Sequence, residues 1–323
     1  MSRTPVLDWL LEEDQPSVRY YALTELLGRA ESDPDVRTAR RRLARTGWAA
    51  DLLRRQGPDG YWESRAPKSV QEHLFFLWFP EFATTIWNAV VLADLGLTRD
   101  EPRIRRTAER IFDYKLQFSS PINLFYEEVC AVGLTARTLT RFGYGDDRRV
   151  RKLFDWMLED QRENGGWNCQ PEAPGTLDGW EALAAFAAVP KARRSRRMER
   201  AIARGAEFYL ERALTREGRK YAPWFRFHYP THYFYDVLVG LDVLTQLGYG
   251  GDRRLRPALR LLEEKRRPDG RWALDRVHPD FGDGPPPHLH GKLTRLALEK
   301  PRRPSKWITL TALRVLHRVE LAT

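Results

Sequence analysis

The segment Trp224–Asp236 concentrates side chains that are able to do chemistry. It reads WFRFHYPTHYFYD and places His228 and His232 a few residues before Asp236. Asp236 opens an apolar helix, where the positive end of the helix dipole keeps a carboxylate ionised and able to orient a histidine. The segment is therefore a candidate acid–base or metal pair, although the proline between the histidines disfavours one shared helical face. The alternative is aromatic packing with hydrogen-bonded polar tips.

A second candidate lies in the proline-rich segment 275–291, which reads DRVHPDFGDGPPPHLHG. Asp280, His288 and His290 could coordinate a divalent metal, because carboxylate oxygens and imidazole nitrogens are common ligands. A divalent metal is the one cofactor that the sequence suggests. The alternative is an exposed loop without a ligand.

Acidic residues on the apolar, inner-type helices form a third group, which we expect near a central cavity. A carboxyl group buried among aromatic rings has a raised pKa and can serve as a general acid. The alternative is a structural role in hydrogen bonds to helix starts or in ion pairs with arginine. Asp178 and Asp236 are the strongest candidates; the full group is Glu127, Glu128, Asp178, Glu181, Asp236 and Asp242.

Aromatic residues are abundant, and some are candidates for lining a central cavity. Most aromatic residues in a helical protein of this length belong to the core. The candidate cavity residues are Phe75, Trp78, Phe79, Trp87, Tyr126, Trp180, Tyr233, Tyr235 and Trp307.

An internal repeat indicates the elements that position these residues. The turns QGPDGYW, QRENGGW and RRPDGRW end at Trp62, Trp167 and Trp272, each 105 positions after the previous one. Glycine supplies the positive φ angle that stops a helix, and the tryptophan can pack back over the helix end. Within each repeat, an apolar helix precedes an amphipathic one, which is typical of a buried inner helix and a half-exposed outer helix.

The pattern predicts an all-α protein. Six inner-type and five to six outer helices fit a single α/α toroid over residues 1–323, since an apolar last helix disfavours an open array with polar ends. The predicted helical segments are Val18–Leu27, Pro34–Arg55, Thr84–Leu95, Pro102–Leu116, Gly179–Val189, Ser195–Leu214 and Trp307–Val319. The long connections all lead into inner helices and hold six of the seven histidines, so we expect the site at that rim.

Charge and composition limit the classes of partner and the cellular location that we expect. The net charge of +10 is spread over the predicted outer helices, which argues against nucleic acid as the partner and is compatible with an anionic substrate. No apolar run is long enough to span a membrane, and the start of the sequence lacks a signal-peptide pattern, so we expect a cytoplasmic protein in which peripheral membrane contact stays open. A disulfide between Cys130 and Cys169 is not expected there. The preference for arginine over lysine fits a thermophile or a GC-rich genome.

The Gln-x-x-x-Gly-x-Trp pattern at Gln56–Trp62 and Gln161–Trp167 resembles the QW motif of the prenyltransferase and squalene-cyclase repeat family, and Trp272 ends a third copy that lacks the glutamine. The resemblance implies a terpenoid-cyclase-like toroid that acts on an isoprenoid or similar apolar substrate. The Asp-x-Asp-Asp acid of the cyclases is absent, and Cys169 lacks the preceding Asp-x of the zinc prenyltransferases.

Three functions follow as hypotheses. The first is a cyclase-like or prenyltransferase-like enzyme with an apolar or prenyl-type ligand in the cavity. The second is a non-catalytic protein that binds a hydrophobic ligand or acts as a scaffold. The third is a carbohydrate-active toroid enzyme with paired carboxylates.

Overall fold

Apolar and amphipathic helices alternate in the computed structural model, which describes residues 4–62, 84–117, 128–170, 172–216, 221–231, 234–277 and 298–322. The inner helices are α2 (Pro16–Tyr21, continued by the π-helical turn Ala22–Leu26), α5 (Thr85–Asp94), α7 (Val129–Leu139, continued by the π-helical turn Thr140–Tyr144), α9 (Glu181–Ala188), α11 (Val237–Gln246) and α13 (Lys306–Glu320). The remaining α-helices are α1 (Pro5–Leu10), α3 (Pro34–Arg42), α4 (Gly47–Arg54), α6 (Pro102–Gln117), α8 (Arg148–Glu159), α10 (Arg196–Glu211) and α12 (Arg256–Glu264). Short 3-10 turns cover Lys191–Arg193, Ala222–Phe225 and Arg253–Leu255.

Successive inner helices pack side by side and close into a ring. Contacts run from α5 to α7, α9, α11 and α13, and α13 returns to α2. Every residue of α5 is buried, whereas α8 buries only one face, as their sequence patterns predict. The all-α toroid prediction is confirmed, and the described residues contain only isolated β-bridges.

The three tryptophan turns have one common geometry. The indole N–H donates to the carbonyl of the residue ten positions earlier: Trp62 to Leu52 at 3.0 Å, Trp167 to Met157 at 2.8 Å and Trp272 to Leu262 at 2.7 Å. These carbonyls lie at the ends of outer helices, where backbone acceptors lack helical partners. The turn glycines Gly60, Gly165 and Gly270 have φ angles of 92°, 87° and 77°. The predicted function of the turn as a helix stop is thus confirmed.

The glutamine of the motif joins neighbouring outer helices. Gln56 Nε2 donates to Thr107 Oγ1 of α6 at 2.9 Å, and Gln161 Nε2 donates to the Ala201 carbonyl of α10 at 2.9 Å. Asp147 and Asp252 accept the N–H groups of Arg149 and Arg254, as expected of helix caps.

The prediction of one helix over Pro34–Arg55 is wrong, because the structure divides this segment into α3 and α4. Gly47 has a φ of 72°, and its Cα lies so close to the Asp14–Pro16 chain that a β-carbon would clash there. Helix α1, which precedes this segment, was not anticipated from the sequence. No helix in the described ranges is long and apolar enough to cross a membrane.

Candidate functional site

A cavity of about 300 Å³ lies inside the ring of inner helices. It extends from Trp180, Asp236 and Trp307 near the starts of α9, α11 and α13 to Asp94 and Arg318 towards the ends of α5 and α13. Helices α2, α7 and the segment before α11 also contribute lining residues. Its volume is at the lower limit for small-molecule sites, which suits a ligand of roughly one ring.

Charged side chains from inner helices meet in this cavity. Arg137 and Arg141 lie one turn apart at the end of α7 and share one oxygen of Asp94, to which the Arg137 guanidinium donates at 2.6 Å. The side chain of Asp94 is 4% exposed and that of Arg137 12%, whereas Arg141 is 26% exposed, so the carboxylate of this triad is buried and one of its arginines reaches solvent. Removing such groups from water is costly unless they are paired, and the pairing here is tight.

A second charged group stands on α13. Arg314 and Arg318 both bind Glu25, and Arg318 also donates to Asp242 Oδ1 of α11 at 2.7 Å. Burial raises the pKa of Asp242, but Arg318 and Arg314 outweigh it and hold this pKa below its ordinary value, so Asp242 is ionised. Four guanidinium groups thus face three carboxylates, Glu25, Asp94 and Asp242, in the lining.

Aromatic rings complete the lining. Tyr229 stacks on Trp307 with ring centroids 4.5 Å apart, and Tyr21 packs edge-on against Trp307 at 6.3 Å. Arg314 lies over the Tyr21 ring at 4.2 Å, and Arg137 lies 5.9 Å from the Trp180 ring. The cavity therefore has both an aromatic part and a charged part.

Two buried polar atoms of the lining have no hydrogen-bond partner within the described chain. They are the Tyr229 hydroxyl and Nε of Arg314, and their residues are 2% and 9% exposed. The Tyr229 hydroxyl lies in the field of Asp94, Arg137 and Arg141. A buried donor without a protein partner is costly, so water or a ligand group in the cavity would stabilise it.

His228 and Asp236 are brought together, as the sequence suggests. His228 Nδ1 lies 2.6 Å from Asp236 Oδ2, and His228 Nε2 lies 3.1 Å from the Thr231 carbonyl. Burial lowers the pKa of His228, but Asp236 and the backbone carbonyl outweigh it and raise this pKa. Both ring nitrogens face acceptors, so the imidazolium form is favoured. A catalytic role for this pair stays a prediction.

The other predicted site residues do not line this cavity or lie outside the described residues. Asp178 accepts from Trp224 Nε1 at 3.0 Å, Trp87 is buried in the core, and the Tyr235 hydroxyl donates to the Leu214 carbonyl at 3.0 Å. The candidates outside the described residues are Phe75, Trp78, Phe79, Tyr126, Glu127, His232, Tyr233, Asp280, His288 and His290. Within the described ranges no group of three His, Cys, Asp or Glu side chains is placed to hold a metal.

Glu181 stands apart from the charged groups of the cavity. It is fully buried at the start of α9, and neither carboxyl oxygen has a hydrogen-bond partner within the described chain. Burial raises its pKa well above the ordinary value, and Cys169 and Asp178 add to the effect. The folded state therefore favours the protonated form of Glu181. The nearby thiols of Cys130 and Cys169 are free.

The four arginines of the cavity were not among the site residues predicted from the sequence. Arg137 and Arg141 follow the pattern Arg-x-x-x-Arg on one apolar helix, and Arg314 and Arg318 repeat it on another. Charged residues one turn apart on a helix that is otherwise buried point to a polar interior. That signal was present in the sequence.

No protein-family model matches the chain, and no curated protein matches it in sequence. Solved structures do match. A glycosyl hydrolase family 88 protein from Bacteroides vulgatus is 15% identical with a TM-score of 0.50, over 97% of this chain and 98% of that one. A protein from Actinoplanes is 19% identical with a TM-score of 0.45, over 95% and 90%. The Scytonema type II terpene cyclase MstE, in complex with geranylgeranyl dihydroxybenzoate, is 15% identical with a TM-score of 0.32, over 98% of both chains.

At these identities the likeness shows the α/α-toroid fold alone. One fold of this kind carries different chemistries, so the function has to be argued from the lining of the cavity.

Proposed function

We propose that the protein is carbohydrate-active and takes a saccharide into the central cavity. The observation that carries this proposal is the charged lining: Arg137, Arg141, Arg314 and Arg318 lie inside the ring with Glu25, Asp94 and Asp242. Planar guanidinium and carboxylate groups bind hydroxyl-rich ligands through directional hydrogen bonds. A purely apolar ligand would displace water from the hydrogen-bonding positions that these ion pairs do not use, at a cost of about 1–3 kcal/mol for each group left unsatisfied.

The aromatic part of the lining fits the same ligand. Tyr229 and Trp307 stack with an interplanar angle of 19°, and both line the cavity with Tyr21. A sugar ring has polarised C–H groups on its flat faces, which pack against the negative face of an aromatic ring. A ring with hydroxyl groups on its edge and C–H groups on its faces matches a site with charged and aromatic parts.

Asp242 is the carboxylate best suited to a chemical step. It is ionised, and Arg318 holds one of its oxygens, which suits a general base or a nucleophile better than an acid. Paired carboxylates carry out glycoside hydrolysis. Asp94 is the carboxylate that we pair with Asp242, and it is bound by two arginines. Asp236 and His228 remain candidates for orienting a ligand from the other end of the cavity.

An isoprenoid ligand is the second candidate function, and the aromatic residues of the lining favour it. Cation–π attraction to Trp180, Trp307 and the tyrosines would stabilise a developing carbocation by about 0.5–2 kcal/mol per ring. The two candidates differ in their requirement for the charged part of the cavity.

Calorimetry with the purified protein distinguishes a saccharide ligand from an isoprenoid ligand. We expect millimolar glucose, galactose or cellobiose to bind with a measurable heat, and farnesol in detergent to give none. Replacement Asp242→Asn should weaken sugar binding, whereas Asp51→Asn on the exposed face of α4 should not. Binding of farnesol with no response to any sugar would refute the proposal and favour the isoprenoid alternative.

A further inference from the structure

We infer that the ligand of the central cavity carries an oxyanion, a carboxylate or a phosphate, which binds between the two arginine pairs. This inference rests on the proposed function and narrows it to acidic sugars. The arginine pairs are Arg137–Arg141 on α7 and its π-helical turn, and Arg314–Arg318 on α13.

The charge of the lining favours an anion. Four arginines face Glu25, Asp94 and Asp242, which leaves one positive charge in excess, while His228 and Asp236 form their own ion pair. The charged side chains are between 4% and 34% exposed, so solvent and salt screen this charge less than they would at the surface. An oxyanion of the ligand would compensate it.

Hydrogen-bond capacity supports the same conclusion. A guanidinium carries five N–H donors. Within the described ranges, Arg137 and Arg141 each place one bond on Asp94, and Arg314 places one on Glu25. Arg318 donates to Glu25 and to the side chain and carbonyl of Asp242. Nε of Arg314 is buried without a partner. The pairs therefore retain donors of the kind that bind carboxylate and phosphate in bidentate geometry.

Tyr229 adds a neutral donor at the same place. Its hydroxyl has no hydrogen-bond partner in the described part of the chain, is buried, and lies close to Asp94, Arg137 and Arg141 in their electrostatic field. A phenol stays protonated there, because burial raises its pKa well above the ordinary value. It is thus able to donate to an anion that the arginines hold.

The test compares matched sugars by calorimetry on the full-length protein. The probes are glucuronate and glucose 6-phosphate against glucose, with inorganic phosphate alone as a fourth ligand. We expect an acidic sugar to bind at least about tenfold more tightly than glucose, since a hydrogen bond to a charged group has about that effect. Glucuronate and glucose 6-phosphate distinguish a carboxylate from a phosphate, and inorganic phosphate tests whether the sugar ring is needed.

Two variants locate the site. Tyr229→Phe removes only a hydroxyl without a protein partner, so it should keep the thermal midpoint and lose about tenfold in affinity for the acidic sugar. Arg141→Gln should reduce the preference for the acidic sugar over glucose. Tyr249→Phe, on a half-buried tyrosine outside the cavity, and Arg54→Gln, on the exposed end of α4, are the controls.

The outcomes separate the inference from the proposed function. Equal binding of acidic and neutral sugars would overturn the oxyanion site and leave the saccharide proposal standing. Tight binding of glucuronate that neither Tyr229→Phe nor Arg141→Gln weakens would also overturn it, because the anion would then bind elsewhere. Absence of binding by every sugar would reject the proposed function together with the inference.

Discussion

His228 and Asp236 form a buried ion pair at the start of helix α11, with 2.6 Å between Nδ1 and Oδ2 and both side chains almost fully inaccessible to solvent. The same Asp236 oxygen accepts the backbone N–H of His228 at 3.1 Å, and the other accepts the N–H of Val239 at 2.8 Å. The carboxylate therefore fixes the segment before α11 and caps the helix. Tyr229, which follows His228 in the chain, belongs to this segment and lines the cavity.

Replacing Asp236 with asparagine should destabilise the protein. The variant keeps the cap oxygen but presents an amide N–H to His228 and leaves the imidazolium without its counter-ion. Breaking a buried pair in this way costs about 3–5 kcal/mol. The free energy of unfolding from urea titration measures it. Asp33→Asn is the matched control, because Asp33 caps α3 at the surface and asparagine caps nearly as well as aspartate. Equal losses in the two variants would contradict a special role for the ion pair.

The same pair predicts a dependence of stability on pH. The pKa of His228 is raised in the folded state, so its proton contributes stability that is complete below the unfolded pKa of about 6.5. That contribution declines as the pH rises through the folded pKa. We expect the free energy of unfolding to fall above neutral pH, and His228→Gln to remove this part of the decline. An unchanged slope in His228→Gln would show that another group causes it.

Glu181 predicts a dependence of stability on pH in a different, lower pH range. Its folded pKa is raised well above the ordinary value, so the folded state prefers the protonated form. Below about pH 4.3, Glu181 is protonated in both states and does not change the stability with pH. Above that pH the stability falls, because Glu181 gives up its proton more readily in the unfolded chain than in the folded one. Glu181→Gln removes the ionisation, so it should equal the wild type near pH 4 and exceed its stability at pH 7.

Urea titrations at both pH values measure the Glu181 effect. Glu109→Gln, on the exposed face of α6, should show no such difference between pH 4 and pH 7. A Glu181→Gln variant that is less stable than the wild type at pH 7 would indicate an ionised Glu181 with a partner.

The sequence contains enough information for the fold and for part of the cavity. Trp62, Trp167 and Trp272 mark the repeat because each indole N–H binds a carbonyl in the last turn of a helix, where the usual N–H donor four residues later is missing. The pairing of Asp236 with His228 was also predictable, since both lie in one short segment. Apolar periodicity further separated the inner helices from the outer ones.

The charged part of the cavity could not be assembled from the sequence alone. Arg137 and Asp94 are 43 positions apart, and Arg314 and Glu25 are 289 apart, so only closure of the ring brings them together. A local sequence pattern does not specify contacts between residues that are so far apart along the chain. The split between α3 and α4 also depends on a tertiary contact, that of Gly47 with the Asp14–Pro16 chain.

The tryptophan turns give the last prediction. Trp167 and Trp272 are fully buried, whereas Trp62 is half-buried, although each indole N–H makes the same bond to a helix-end carbonyl. Replacement by phenylalanine removes that bond and opens a small cavity, so Trp167→Phe and Trp272→Phe should each lose about 2–4 kcal/mol of the free energy of unfolding. Trp62→Phe should lose about 1 kcal/mol, because its ring is already partly exposed and its partner, the Leu52 carbonyl, also accepts from the Arg55 N–H. Urea titration of the three variants tests this order, and an equal loss in all three would mean that the hydrogen bond, not burial, sets the contribution of the turn.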